Sequence, residues 1–131
     1  MMKRIIVVII LILAAAGARA QYADHHFDYA YKQQNQSQKY YDWKVFLVAD
    51  AGFLSTVKQV EYYLDASFRN ATRIVAANNS NPNFTLCANG WGSFDIRIRI
   101  IFKNGRADVN EVFLLNLSAP AKSDNNFQCG F

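Results

Sequence analysis

The chain has 131 residues, with 14 Lys plus Arg against 10 Asp plus Glu, 52% hydrophobic and 15% aromatic residues, and two cysteines. That length holds one domain of ordinary size and leaves no room for a two-domain enzyme, while the apolar fraction excludes a disordered, collagen-like or disulfide-dense chain. A formal charge of +4 points first to nucleic acid or an anionic membrane, so the position of the charges decides.

Residues 1–20 read as a cleavable signal peptide. Lys3 and Arg4 form a basic start, Ile5 to Leu13 is an unbroken aliphatic run, and Ala18-Arg19-Ala20 closes a small-residue stretch. The run is short of the ~20 residues that span a bilayer, so no stable membrane span is expected after cleavage. Cleavage after Ala20 removes three basic residues and no acids, lowering the net charge to +1. Nucleic acid then loses its electrostatic basis as a partner. The expected location is secreted or periplasmic, and the short basic start looks bacterial.

Residues 21–39 are polar and Gln-rich, with Gln33, Gln34, Gln36 and Gln38, and read as a flexible leader that buries too little apolar surface to order itself. The pair His25-His26 beside Asp24 and Asp28 offers metal-ligating atoms without a third ligand at a suitable spacing. No metal site is therefore assigned.

A domain is expected over residues 40–118. Trp43, Val45 and Leu47 share one face of a strand, and Asp50-Ala51-Gly52 reads as a turn. Val57 to Leu64 forms a second strand. Asp65 to Asn83 reads as an Asn-rich loop with a short strand at Arg73 to Ala76. Phe84-Thr85-Leu86 begins the next extended piece. The clearest strand then places Phe94, Ile96, Ile98 and Ile100 on one face and Asp95, Arg97 and Arg99 on the other. Asn104-Gly105 suits a type I′ hairpin leading to a return strand from about Arg106 to Leu117. Helical periodicity is missing from this region. The pattern predicts an all-β fold, an immunoglobulin-like antiparallel β-sandwich.

Residues 119–131 form a polar C-terminal tail. In an oxidising compartment, Cys87 and Cys129 favour a disulfide tying that tail to the sandwich; the alternative is a buried strand thiol and an unrelated exposed one. Five N-x-S/T sequons begin at Asn35, Asn70, Asn78, Asn83 and Asn116, and matter only in a eukaryotic secretory pathway.

The chemistry-bearing residues do not assemble an enzyme. Both histidines lie in the leader, which leaves the domain without a Ser-His or Cys-His pair, and no Gly-rich phosphate loop is present. No cofactor is implied. Two loops instead concentrate aromatic and small residues: Leu64-Asp65-Ala66-Ser67-Phe68, and Gly90-Trp91-Gly92-Ser93-Phe94. Phe68 and Trp91 either flank a slot, with Gly90 and Gly92 permitting close backbone approach, or cap the core.

These two loops, in this order and before an alternating strand ending Ile101-Phe102, resemble the YEATS domain, which has a prokaryotic branch. The resemblance spans about Tyr40 to Leu117. It implies a non-catalytic reader in which an acyl-lysine amide slides between two aromatic rings, here Phe68 and Trp91. It further implies that Ser67 hydrogen-bonds the amide, that the Trp91 backbone N–H receives the acyl carbonyl, and that Phe94 supports the second loop. A neutral amide suits such a slot, because a free lysine would have to shed the hydration of its charge. Asp65 stands where acyl-lysine readers carry His. Its carboxylate accepts hydrogen bonds, so the slot is expected to favour a cationic or donor-rich ligand.

The expected function is an exported, monomeric binding module with a protein or peptide ligand, recognised through Phe68, Trp91, Ser67, Asp65, Gly90 and Gly92. The alternative is a structural or protein-interaction sandwich of the cell envelope, with Phe68 and Trp91 as core caps.

Overall fold

A computed structural model describes residues 24–35 and 38–129. The signal peptide expected over residues 1–20 lies outside the described residues. Among the described residues, seven strands form two antiparallel sheets: β1 (His25–Asn35), β2 (Gln38–Ala49) and β5 (Leu86–Gly90) in the order β1-β2-β5, and β3 (Val57–Tyr63), β4 (Thr72–Ala76), β6 (Phe94–Phe102) and β7 (Val109–Leu115) in the order β4-β3-β6-β7. The immunoglobulin-like β-sandwich read from the sequence is thus the observed architecture.

Alternation decides which face each strand buries. In β6, Ile96, Ile98 and Ile100 are buried while Asp95, Arg97 and Arg99 are exposed. In β2, Trp43, Val45 and Leu47 are fully buried against them. A register shift between Val57 and Gln59 lets both Val57 and Val60 point inward from β3. Tyr62 completes this layer, and its hydroxyl donates to the Phe84 carbonyl at 2.6 Å.

The flexible leader is corrected by β1. Phe27, Tyr29 and Tyr31 alternate inward, and the strand pairs with β2 in register from His25↔Ala49 to Gln33↔Tyr41. Their burial supplies what the polar composition concealed: three aromatic side chains contribute on the order of 1.5–3 kcal/mol each by leaving water. The Tyr29 and Tyr31 hydroxyls donate to the carbonyls of Asn116 and Ala119, each at 2.9 Å. The domain therefore starts before residue 40.

Two local expectations change as well. Asp50 opens a short helix, α1 (Ala51–Thr56), rather than a simple turn, its carboxylate accepting the Phe53 N–H at 2.8 Å as an N-cap. The connection after β6 is wider than a type I′ hairpin: Gly105 has φ +76°, but Asn104 is not left-handed and instead accepts the Arg106 N–H on its side chain. The Lys103 N–H is committed to the Thr56 carbonyl at 2.7 Å, so chain pairing ends at Ile100↔Val109 and β7 starts at Val109.

The tail is tied down. Cys87 on edge strand β5 is bonded to Cys129, and Phe127 is buried with the Lys44 ammonium 5.2 Å from its ring centre. Lys122 pairs with Asp28 at 2.6 Å, linking the tail to β1. The Asn-rich loop before β5 is organised by buried Asn81, whose amide donates to the Thr85 carbonyl and accepts the Thr85 N–H. That clamp holds Phe84 at φ +52°, a costly conformation for a bulky residue.

Candidate functional site

Both candidate loops lie at one end of the sandwich, one joining β3 to β4 and the other joining β5 to β6. Between them is a cleft of about 480 Å³ that Ser67, Phe68, Gly90 and Trp91 all line. The remaining lining comes from Tyr40, Arg69, Arg73, Cys87, Ala88 and Asn89.

Phe68 is held from the core side. Its ring lies 5.2 Å from Phe94 and 6.2 Å, edge-on, from Trp43. Gly90 gives it room, because a Cβ at that position would stand 3.3 Å from the Phe68 ring, a tight contact that the ring would have to yield to. Phe94, expected to support the second loop, instead packs against Phe68 of the first. Trp91 is the opposite case: 72% exposed, its ring 6.0 Å from Tyr40 at an interplanar angle of 35°. A core cap would be buried, so the core-cap alternative does not describe Trp91, whereas Phe68 is half-buried and packs on the core.

The pairing of β2 with β5 explains why Tyr40 reaches this place. Tyr41 lies opposite Gly90, and the Tyr40 hydroxyl donates to the Asn89 side chain at 3.0 Å. Gly92, at φ +79°, turns the chain into β6 and does not line the cleft.

Asp65 departs from expectation. Its carboxylate does not line the cleft and instead accepts the Ser67 N–H at 3.0 Å. Hydrogen bonds from the Ser67 backbone and then the Ser67 hydroxyl hold this exposed carboxyl below its ordinary range. Asp65 thus shapes the loop and orients Ser67. The charged residues that line the cleft are Arg69 and Arg73, so the carboxylate from which a cationic or donor-rich ligand was expected is not part of its lining. Tyr40, Arg69 and Arg73 were missed because their place depends on strand register and loop course, which local pattern does not report.

The two histidines sit on opposite faces of β1 and cannot share a metal ion. His26 is exposed, whereas His25 bonds to Glu111 and Asp24 and stacks on Phe53 at 5.1 Å. Among the described residues no group of three His, Cys, Asp or Glu side chains is placed to hold a metal.

Comparison with known proteins places this geometry. A family model for the prokaryotic YEATS domain matches residues 41–114. The Protein AF-9 homolog of Yarrowia lipolytica (strain CLIB 122 / E 150) is 33% identical over 73 residues, covering 55% of this chain and 34% of that protein. The chain thus spans about a third of that curated relative. Among solved structures, the Yaf9 YEATS domain recognising an H3K122suc peptide aligns at TM-score 0.59 and 23% identity, over 72% of this chain and 71% of that one. The Yaf9 YEATS domain bound to H3K27ac aligns at TM-score 0.54 and 22% identity, over 76% and 80%. At these identities the structural matches establish the fold.

Proposed function

Because the chain belongs to the prokaryotic YEATS domain family, we propose that it is a non-catalytic binding module whose cleft takes an acylated lysine side chain, or a similar flat amide, of a peptide or protein ligand. The observation that carries this reading is the pair of unlike aromatic residues on one cleft: Phe68, anchored on Phe94 and Trp43, and Trp91, exposed beside Tyr40. An indole beside an anchored ring offers π faces on which a flat, neutral amide can stack without shedding the hydration of a charge. Ser67 supplies the polar handle. Its backbone N–H is taken by Asp65, and its hydroxyl oxygen has lone pairs able to accept the amide N–H of a ligand. The Yaf9 structures with succinylated and acetylated histone peptides support the ligand class by analogy.

The biological partner is a separate matter. With the export expected from residues 1–20, the ligand is an acylated peptide or protein met in the periplasm or outside the cell, and the module acts there as a monomer.

Calorimetric titration with short peptides tests the reading. An acetyl-lysine peptide is expected to bind, its unmodified lysine counterpart at least about tenfold more weakly, and Trp91→Ala is expected to abolish the preference. Equal affinity for both peptides would contradict it.

A further inference from the structure

We propose that the chain carries a second ligand site, separate from the cleft between the loops, and that this site takes a neutral saccharide. A cavity of about 610 Å³ lies between β1, the start of β2 and the segment after β7, within the ~300–1,000 Å³ of ordinary ligand sites. It shares no lining residue with the cleft. Alternation along β2 separates them: Tyr40 lines the cleft, whereas Tyr41, on the opposite face, lines the cavity beside Tyr31.

Bonds within the chain hold the walls in place. The Tyr31 hydroxyl donates to the Ala119 carbonyl at 2.9 Å, the Asp124 N–H donates to the Tyr31 carbonyl at 2.7 Å, and the Leu117 N–H donates to the Ser93 hydroxyl at 2.9 Å. The Tyr31 and Tyr41 rings meet edge-on, 5.5 Å apart. Tyr31 is buried and Tyr41 half-buried, so the Tyr41 ring is the aromatic surface that a ligand would meet. A preformed site of this kind spends little binding energy on ordering itself.

The lining selects the ligand class. Beside the tyrosines and buried Leu117 stand Gln33, Ser118, Ser123 and Asn125, all exposed. Their hydroxyls and carboxamides both donate and accept, as the hydroxyls of a sugar do. The Ser118 hydroxyl, which donates to Asn116 Oδ1 at 2.7 Å, has lone pairs able to accept. Among the described residues that line the cavity none is charged, so an ionic ligand gains no counter-charge. The charges next to it in sequence are directed elsewhere. Lys32 and Asp42 alternate to the opposite face of their sheet, Asp124 accepts the Asn126 N–H at 3.0 Å, and Lys122 pairs with Asp28 at 2.6 Å. An apolar ligand would strip water from the polar groups without replacing its hydrogen bonds. A peptide strand would need the edge of β1, where Tyr31 is already bridged by Ser123 of the tail in parallel. A pyranose ring answers both halves of the lining, its C–H face against Tyr41 and its hydroxyls toward the serines and carboxamides.

Nuclear magnetic resonance titration of isotope-labelled protein with cellotriose, maltotriose and mannotriose tests the proposal, with trigalacturonate as the charged counterpart. These sugars carry no acetamide, so they offer nothing to the amide slot. Each is taken to about 20 mM, well beyond the ~1 mM dissociation constant expected of a few hydrogen bonds and one ring. At least one neutral trisaccharide is expected to give saturable shifts at the amides of Tyr41, Ser118, Ser123 and Asn125, and none at Ser67 or Trp91. Asn125 is exposed, so Asn125→Ala is expected to fold and to weaken that binding about three- to tenfold. Tyr41→Leu, which keeps apolar bulk and removes the ring, is expected to abolish it, and both variants should bind the acetyl-lysine peptide as the parent does. No saturable shift with any neutral trisaccharide, shifts centred on Ser67 and Trp91, trigalacturonate binding as tightly, or unchanged affinity in Asn125→Ala each overturns the saccharide site and leaves the amide slot standing.

Discussion

Phe68 and Trp91 line one cleft yet have opposite relations to the core, and their substitution should separate accordingly. Trp91 is exposed and touches Tyr40, so Trp91→Ala should leave the melting temperature within about 3 °C of the parent while removing peptide binding. Phe68 packs on Phe94 and Trp43, and Phe68→Ala should cost about 1–3 kcal/mol, read by denaturant unfolding. Equal destabilisation by the two would return Trp91 to the core. His25 supplies a pH-dependent contact at the same scale. Burial disfavours its charge, but hydrogen bonds and charge from Glu111 and Asp24 outweigh that and raise its pKa above the ordinary 6.5. A raised folded pKa means stability that is whole below pH 6.5 and lost as pH climbs through the raised value. The protein should thus melt at a lower temperature at pH 8 than at pH 6, and His25→Asn should remove most of that difference; a difference untouched by the substitution would place its origin elsewhere. Sequence pattern singles out Ser67, Phe68, Gly90 and Trp91 because aromatic and small residues cluster at strand ends. It misassigns Asp65, whose direction depends on an Asx turn with Ser67 rather than on residue type.

At the scale of elements, β6 and β1 mark the limits of local pattern. The four alternating apolar residues of β6 are legible because each outward neighbour is polar or charged. The same alternation is present in Phe27-Asp28-Tyr29-Ala30-Tyr31-Lys32, but the glutamines that follow dominate the composition, and the strand's stability comes from pairing with β2 and from contacts with residues after β7. Deleting residues 21–36 should therefore abolish cooperative thermal unfolding, since three buried aromatic residues and a whole strand pairing are lost from a domain of typical marginal stability. A truncated protein that melts within a few degrees of the parent would restore these residues to a dispensable leader. The hairpin after β6 is a smaller case of the same lesson: Asn104-Gly105 does mark the turn, but its width is set by the Lys103 bond to Thr56, a contact from another element.

For the whole molecule, two sheets pack so that the β3–β4 and β5–β6 connections meet at one end, while the Cys87–Cys129 bond and Phe127 secure the tail to the sheet that carries β5. A different surface offers itself on the outer face of the four-stranded sheet, where Val112 and Leu114 are 67% and 56% exposed. The central claim is that the cleft between the loops, and not that face, receives the ligand. Intermolecular nuclear Overhauser effects between an acetyl-lysine peptide and isotope-labelled protein test this most directly. The account predicts cross-peaks from the acetyl methyl to the rings of both Phe68 and Trp91, and cross-peaks to Val112 and Leu114 in their place would contradict it.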